Sequence, residues 1–331
     1  MTPEAVSIND IRAAAKRLEN QAVVTPLLEA DTLNELAGCR VLVKAECLQR
    51  TGSFKFRGGW SAVSALSAEQ RAKGVIAFSS GNHAQGVALA AKAFGAPAVI
   101  IMPSDAPQTK IDNTRSYGAE VVLYDRWSGD RDALGQELSQ ARDLTLIKPF
   151  DEPMVIAGQG TCGLEIATQA AAKGVTDAEV LVCCGGGGFT SGIALALEAE
   201  APGLRARPVE PVGYDDVARS LAAGERLSNS PGAPSICDAI VTPTPGELTF
   251  PIMKRLCGPG LAVTDTEARR AQAAAWKHLR IVAEPGGAVA LAAALFHRGR
   301  INGDTIISTI SGGNADPAAF AETLSLYGAG A

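Results

Sequence analysis

Residues 74–94 read GVIAFSSGNHAQGVALAAKAF, and this stretch decides the fold. The apolar run over 74–80 reads as a strand buried on both faces. SSGNH at 79–83 supplies a small polar turn, and the Ala-rich segment 82–94 reads as the helix after it. A fully buried strand handing directly to a helix is the opening of a βαβ unit.

The same alternation runs outward along the chain. Strands are predicted at 96–102, at Glu120–Tyr124, at 145–148, at 179–184 and at Thr305–Ile310. Helices are predicted near 110–116, 130–141 and 191–198. The fold class is therefore α/β, with parallel sheets, helices on both faces and right-handed crossovers. In such sheets ligands lie beyond the carboxyl ends of strands. SSGNH, GGGG at 185–188, VEP at 209–211 and SGGN at 311–314 all fall there, and one shared crevice is expected for the four.

Bulk properties narrow the function. The chain has 331 residues, a formal charge of −5 and three histidines. An acidic chain without a basic tract is not expected to bind nucleic acid or an anionic membrane. No apolar run is long enough to span a bilayer, and no signal-peptide core is seen. The seven cysteines show no zinc spacing, so buried reduced thiols and a cytoplasmic location are expected.

Four segments can carry chemistry. Gly185, Gly186, Gly187 and Gly188 follow a strand and precede a helix, which suits a phosphate on inward N–H groups or a tight turn with close packing. Lys55 lies in TGSFKFRGG at 51–59, where neighbouring rings can strip its hydration and make the amine a nucleophile for an aldehyde; a surface lysine between core phenylalanines fits the same residues. The loop Ser79, Ser80, Gly81, Asn82 and His83 suits a carboxylate or a plain helix cap. Glu210, Asp215 and Asp216 offer hard oxygen ligands for Mg²⁺, Mn²⁺ or Ca²⁺, or simply a solvated loop.

Taken as an ordered set, SFKFRG (53–58), SSGNHAQG (79–86), VIAGQGT (155–161), GGGG, VEP, VAEPGG (282–287) and SGGN resemble the fold-type II pyridoxal-phosphate enzymes, in particular the serine/threonine dehydratase and serine racemase family. The resemblance covers nearly the whole chain. It implies a two-domain fold, tryptophan synthase β-like, with 1–70 and 149–331 forming the large cofactor-binding domain and 71–148 the small one. It implies pyridoxal 5'-phosphate on Lys55, with Phe54 flanking its ring, Asn82 at its ring hydroxyl, the four glycines at its phosphate and Ser311 at its pyridine nitrogen. Ser80 matches the serine on the opposite ring face, the second acid/base of racemases. Glu210, the Tyr214 carbonyl and Asp216 fall on the family's divalent-cation site, Mg²⁺ first. A homodimer is the family expectation.

The implied reaction is dehydration of a β-hydroxy amino acid to a keto acid and ammonia. Lys55 would remove the Cα proton, and a serine at the ring nitrogen would favour prompt loss of the β-substituent. DRWSGDRD at 125–132 resembles a stretch of the 3-hydroxyaspartate dehydratases, and Arg131 falls where an arginine can pair with a second carboxylate. A solvated helix start explains that stretch too. The favoured substrate is 3-hydroxyaspartate, giving iminosuccinate and then oxaloacetate. L-threonine or L-serine dehydration, serine or aspartate racemisation, and a non-catalytic cofactor or amino-acid binder are the alternatives. The short stretch after Asn314 leaves no regulatory domain expected. One departure stands out: the family's usual Asp-Gly near the ring is here Asp238-Ala239.

Overall fold

The computed structural model describes residues 6–79, 81–106, 108–125, 131–230, 232 and 234–329. Within these residues ten strands form two sheets: β1 Leu27–Leu28, β2 Arg40–Ala45, β3 Val75–Phe78, β4 Ala98–Pro103, β5 Glu120–Tyr124, β6 Thr145–Leu146, β7 Ala178–Cys183, β8 Leu204–Pro211, β9 Leu261–Val263 and β10 Thr305–Ile310. The larger sheet has the order β1-β2-β10-β7-β8-β9 and the smaller β5-β4-β3-β6. Among the described residues only the two-residue edge strand β1 runs antiparallel, against β2, and the other strand pairs are parallel.

Alternation along each strand feeds two cores per sheet. Val41, Val43 and Ala45 of β2 join the helix Pro285–Phe296 on one face of the larger sheet. Leu42 joins the helices Pro153–Ala172 and Gly188–Glu200 on the other. In the smaller sheet Val75 and Ala77 face the helices Lys55–Ala65 and Asn82–Ala93, while Ile76 and Phe78 face Arg131–Arg142. The expected α/β architecture with helices on both faces is the one observed. Among the described residues no helix is long and apolar enough to cross a membrane.

Ends shift where local geometry stops a strand or starts a helix. The strand expected over 74–80 is Val75–Phe78, which Gly74 precedes at φ +112. The helix Lys55–Ala65 was not foreseen. Its Gly58 and Gly59 let neighbours approach. A Cβ on Gly59 would lie 2.8 Å from the backbone of Gly86, and one on Gly158 2.5 Å from the carbonyl oxygen of Arg57. Gly158 of VIAGQGT thus serves packing on this helix, and Gly160 serves packing against Ile11 and Gly192.

A charged cluster is buried behind it. Arg57 holds Glu46 through Nε at 2.8 Å and Glu165 through Nη1 at 2.7 Å, and Lys44 reaches Glu165 at 2.5 Å. Although burial pushes the Glu46 carboxyl up, Arg57 holds it below the usual carboxylate range. Such clusters are sensitive to losing one member, because the remaining charge stays buried without a partner.

Candidate active site

Lys55 is the first residue of its helix, and Phe54 is the helix cap. The Lys55 amine is enclosed and donates to the Pro149 carbonyl at 2.8 Å. Burial lowers its pKa to about 8, with Glu284 opposing that shift. Such an amine has a sizeable neutral fraction near physiological pH. The Phe54 ring stacks on Phe189 with centroids 4.0 Å apart, and Lys55 Nζ lies 5.3 Å from the Phe54 centroid.

The four glycines form the turn between β7 and the helix Gly188–Glu200. Gly187, the helix cap, has φ +94. A Cβ on Gly186 would collide with the Phe150 ring, and one on Gly188 would stand 2.9 Å from the Phe150 carbonyl oxygen. Thr249 Oγ1 donates to the Gly186 carbonyl at 2.6 Å, which keeps the turn in place. Bare backbone at the positive end of a helix fits a phosphate group.

Facing this turn, Ser79, Gly81, Asn82 and His83 bring the loop after β3 into the same cavity of about 650 Å³, which Phe54, Lys55 and all four glycines also line. Ser80 lies outside the described residues. His83 is buried, its Nε2 3.0 Å from the Ile147 carbonyl oxygen. Burial and then Lys55 push its pKa down to about 3, so it is a neutral imidazole. With Nε2–H assigned as donor to that carbonyl, Nδ1 is left as an acceptor without a partner among the described residues. Asn82 donates to Glu284 Oε1 at 2.6 Å and accepts from Asn314 Nδ2 at 2.8 Å. Burial raises the Glu284 carboxyl to about 7, and its Oε2 has no partner among the described residues.

The expectation of one crevice for all four clusters needs correction. Ser79, Gly81, Asn82, His83 and the four glycines line the cavity, Ser311 stands directly behind the lining residue Phe54, and Glu210 is not among the lining residues. Glu210 is turned onto the start of the helix Asp216–Ala223, accepting from Val217 N at 3.0 Å and Ala218 N at 2.8 Å. Ser311 is buried behind Phe54, whose N–H donates to the Ser311 carbonyl at 3.1 Å. Gly312 of SGGN packs so closely on Glu284 that a Cβ there would collide with Glu284 Oε1.

At the expected cation site, burial pushes the Asp216 carboxyl up to about 6. Its Oδ1 accepts from Asn229 at 2.5 Å, and Oδ2 has no partner among the described residues. Tyr214 N donates to the Pro211 carbonyl at 3.0 Å in the turn between Glu210 and Asp216. Among the described residues no group of three or more His, Cys, Asp or Glu side chains is set to hold a metal ion.

Arg131 lines the cavity, its guanidinium 5.2 Å above the Phe78 ring. Residues 126–130 of DRWSGDRD, and the side chain of Asp132, lie outside the described residues. Ala239 lines the cavity beside Asp238. The sequence reading gave no role to Glu284, Asn314, Phe150, Phe189 or Lys110. Glu284 stood inside the quoted VAEPGG, and an acid directly preceding Pro-Gly-Gly was the one signal available.

The residues fit a phosphorylated aldehyde: an enclosed amine of lowered pKa, a glycine turn that side chains would block, and an aromatic wall. Comparison with known proteins agrees. Residues 18–312 match the family described as pyridoxal-phosphate dependent enzyme. The chain is 41% identical over 318 residues to the L-threo-3-hydroxyaspartate ammonia-lyase of Pseudomonas sp, covering 96% of this chain and 98% of the relative. It is 39% identical over 317 residues to the serine racemase of Schizosaccharomyces pombe, covering 96% and 97%. Among solved structures, a T.th. threonine deaminase superposes with a TM-score of 0.88 at 42% identity, covering 94% of this chain and 99% of that one.

Proposed function

We propose that this chain, which belongs to the pyridoxal-phosphate dependent enzyme family, is a lyase that removes water from 3-hydroxyaspartate to give iminosuccinate, which takes up water again to leave oxaloacetate and ammonia. The observation that carries the reading is the single cavity in which the enclosed Lys55 amine faces the glycine turn, the Ser79–His83 loop and Arg131. The cofactor, when bound, supplies an electron sink for the Cα carbanion. Lys55 would hold it covalently, Gly185, Gly186, Gly187 and Gly188 would bind its phosphate, and Phe54, Asn82 and Ser311 would orient its ring.

Freed Lys55 takes the Cα proton at Nζ, for which a pKa of about 8 is well matched near neutral pH. The backbone of the 79–83 loop binds the α-carboxylate, and Arg131 binds the second one. Neutral His83 keeps a further positive charge away from Lys55. Ser80 is proposed as the acid/base on the opposite face, which would give a serine or aspartate racemase its second proton donor.

The chain is further read as two domains, 1–70 with 149–331 and 71–148. A divalent cation, Mg²⁺ first and Mn²⁺ or Ca²⁺ otherwise, is assigned to Glu210, the Tyr214 carbonyl and Asp216. The buried, unpartnered Asp216 Oδ2 supports it. All seven cysteines are free and six are buried, which suits a cytoplasmic location. A homodimer is proposed, with exposed Val23, Val24 and Leu48 offering an apolar surface.

The test is keto-acid release with L-serine, L-threonine and the 3-hydroxyaspartate diastereomers. A strong preference for one hydroxyaspartate supports the assignment. Preference for threonine or serine replaces it with an ordinary hydroxy amino acid dehydratase.

A further inference from the structure

The cavity holds one cation, Lys110, to which the proposed function gives no part of cofactor or substrate. Its described lining holds three cationic side chains, Lys55, Lys110 and Arg131, and one carboxylate, Asp238. Lys110 Nζ stands 2.7 Å from Asp238 Oδ2; the lysine side chain is 14% exposed and the aspartate 50%. Lys110 lies in the first turn of the helix Gln108–Ser116, where the helix's own partial positive charge adds to it. Its stem runs along Gly81: a Cβ there would meet Lys110 Cδ at 3.1 Å and Nζ at 3.6 Å. The ammonium thus stands beside the loop that opens the helix Asn82–Ala93, and two helix starts converge on one sheltered cation.

We propose that Lys110 is a specificity-determining cation for the side-chain carboxylate of a dicarboxylic substrate, and that Asp238 is its internal occupant, displaced when that carboxylate binds. The inference rests on the lyase reading above and deepens it, by adding a charge to the one the sequence reading gave to Arg131 alone. An ion pair with a half-exposed carboxylate is weakly held. Asp238 can return to water, while the sheltered ammonium still needs an anion beside it. The exchange replaces one carboxylate by another and conserves charge. A monocarboxylic substrate offers nothing to exchange, so the pair stays closed and selection works against it as well as for the dicarboxylate.

The test is calorimetric binding of succinate and of butyrate to the cofactor-loaded protein. Lys110→Gln should weaken succinate by about tenfold and butyrate little. Asp238→Asn should tighten succinate, because the competitor is gone. Opposite signs for the two variants support the proposal, and Lys110→Arg should restore most of the affinity. If both variants weaken succinate, or butyrate shifts as much as succinate, the pair is only a strut and the proposal is overturned. A thermal melt of each variant separates misfolding from either result. Opposite signs without hydroxyaspartate turnover would sink the lyase reading and leave Lys110 standing; turnover with matching signs would do the reverse.

Discussion

The side-chain amide of Asn82 donates to Glu284 Oε1 at 2.6 Å, joining residues 202 positions apart. Glu284 comes from the turn before the helix Pro285–Phe296, and Asn82 opens the helix after β3. One bond therefore ties the loop facing Lys55 to the larger sheet's side of the cavity, and its acceptor titrates.

Burial raises the Glu284 carboxyl to about 7 from an ordinary value of 4.5. The folded chain then holds a proton that the unfolded chain gives up, so this group's contribution to stability is full below about 4.5 and lost as pH rises to about 7. Glu284→Gln should flatten that part of the Tm profile of the cofactor-free protein and raise Tm at pH 8 by a few degrees, on the order of 1–2 kcal/mol. An unchanged slope would assign the pH dependence to another group.

Lys55→Ala should abolish keto-acid release and the visible absorbance of lysine-bound cofactor. The fold should survive, since the amine's hydrogen bond to the Pro149 carbonyl is a single contact at the cavity wall. Far-UV circular dichroism checks the fold, and retained turnover would remove Lys55 from the mechanism.

Arg131→Ala should raise KM for hydroxyaspartate by about tenfold or more and change KM for serine little. Its guanidinium rests over Phe78 at 5.2 Å, so the ring should keep its place when the charge is removed. Equal effects on both substrates would make Arg131 a wall residue.

Gly186→Ala would drive a methyl into the Phe150 ring. We expect a loss of about 1–3 kcal/mol and a marked drop in cofactor affinity. The double variant with Phe150→Ala should recover part of the stability in urea melts. No recovery would mean that the strain lies elsewhere in the turn.

Added Mg²⁺ should raise Tm, and chelation should lower it, if Glu210 and Asp216 share a cation. Asp216→Asn should remove the response. A melt indifferent to Mg²⁺, Mn²⁺ and Ca²⁺ would set that assignment aside.

Strand and helix alternation was legible because burial on two faces writes itself into local runs such as Val75–Phe78. The Lys55 and glycine segments were legible because small and glycine residues crowd around a lysine in one and follow a strand in the other. Partnerships were not. Glu284 meets Asn82 across 202 positions and Lys110 meets Asp238 across 128, and periodicity carries no trace of such pairs. Gly59 and Gly158 left no trace either. The sequence reading gave them no role, and they are contact points between helices.

The four strands of the smaller sheet, together with Ser79, Asn82, Lys110 and Arg131, all fall within one uninterrupted piece of chain, 75–146. Lys55 and the four glycines lie outside it. Lys110 and Arg131, proposed for the variable end of a substrate, can therefore be inherited or exchanged together with the loop proposed for its α-carboxylate, while the lysine and the glycine turn stay in place. Grafting that single piece between relatives is a direct route to changing substrate choice without rebuilding the catalytic lysine's surroundings.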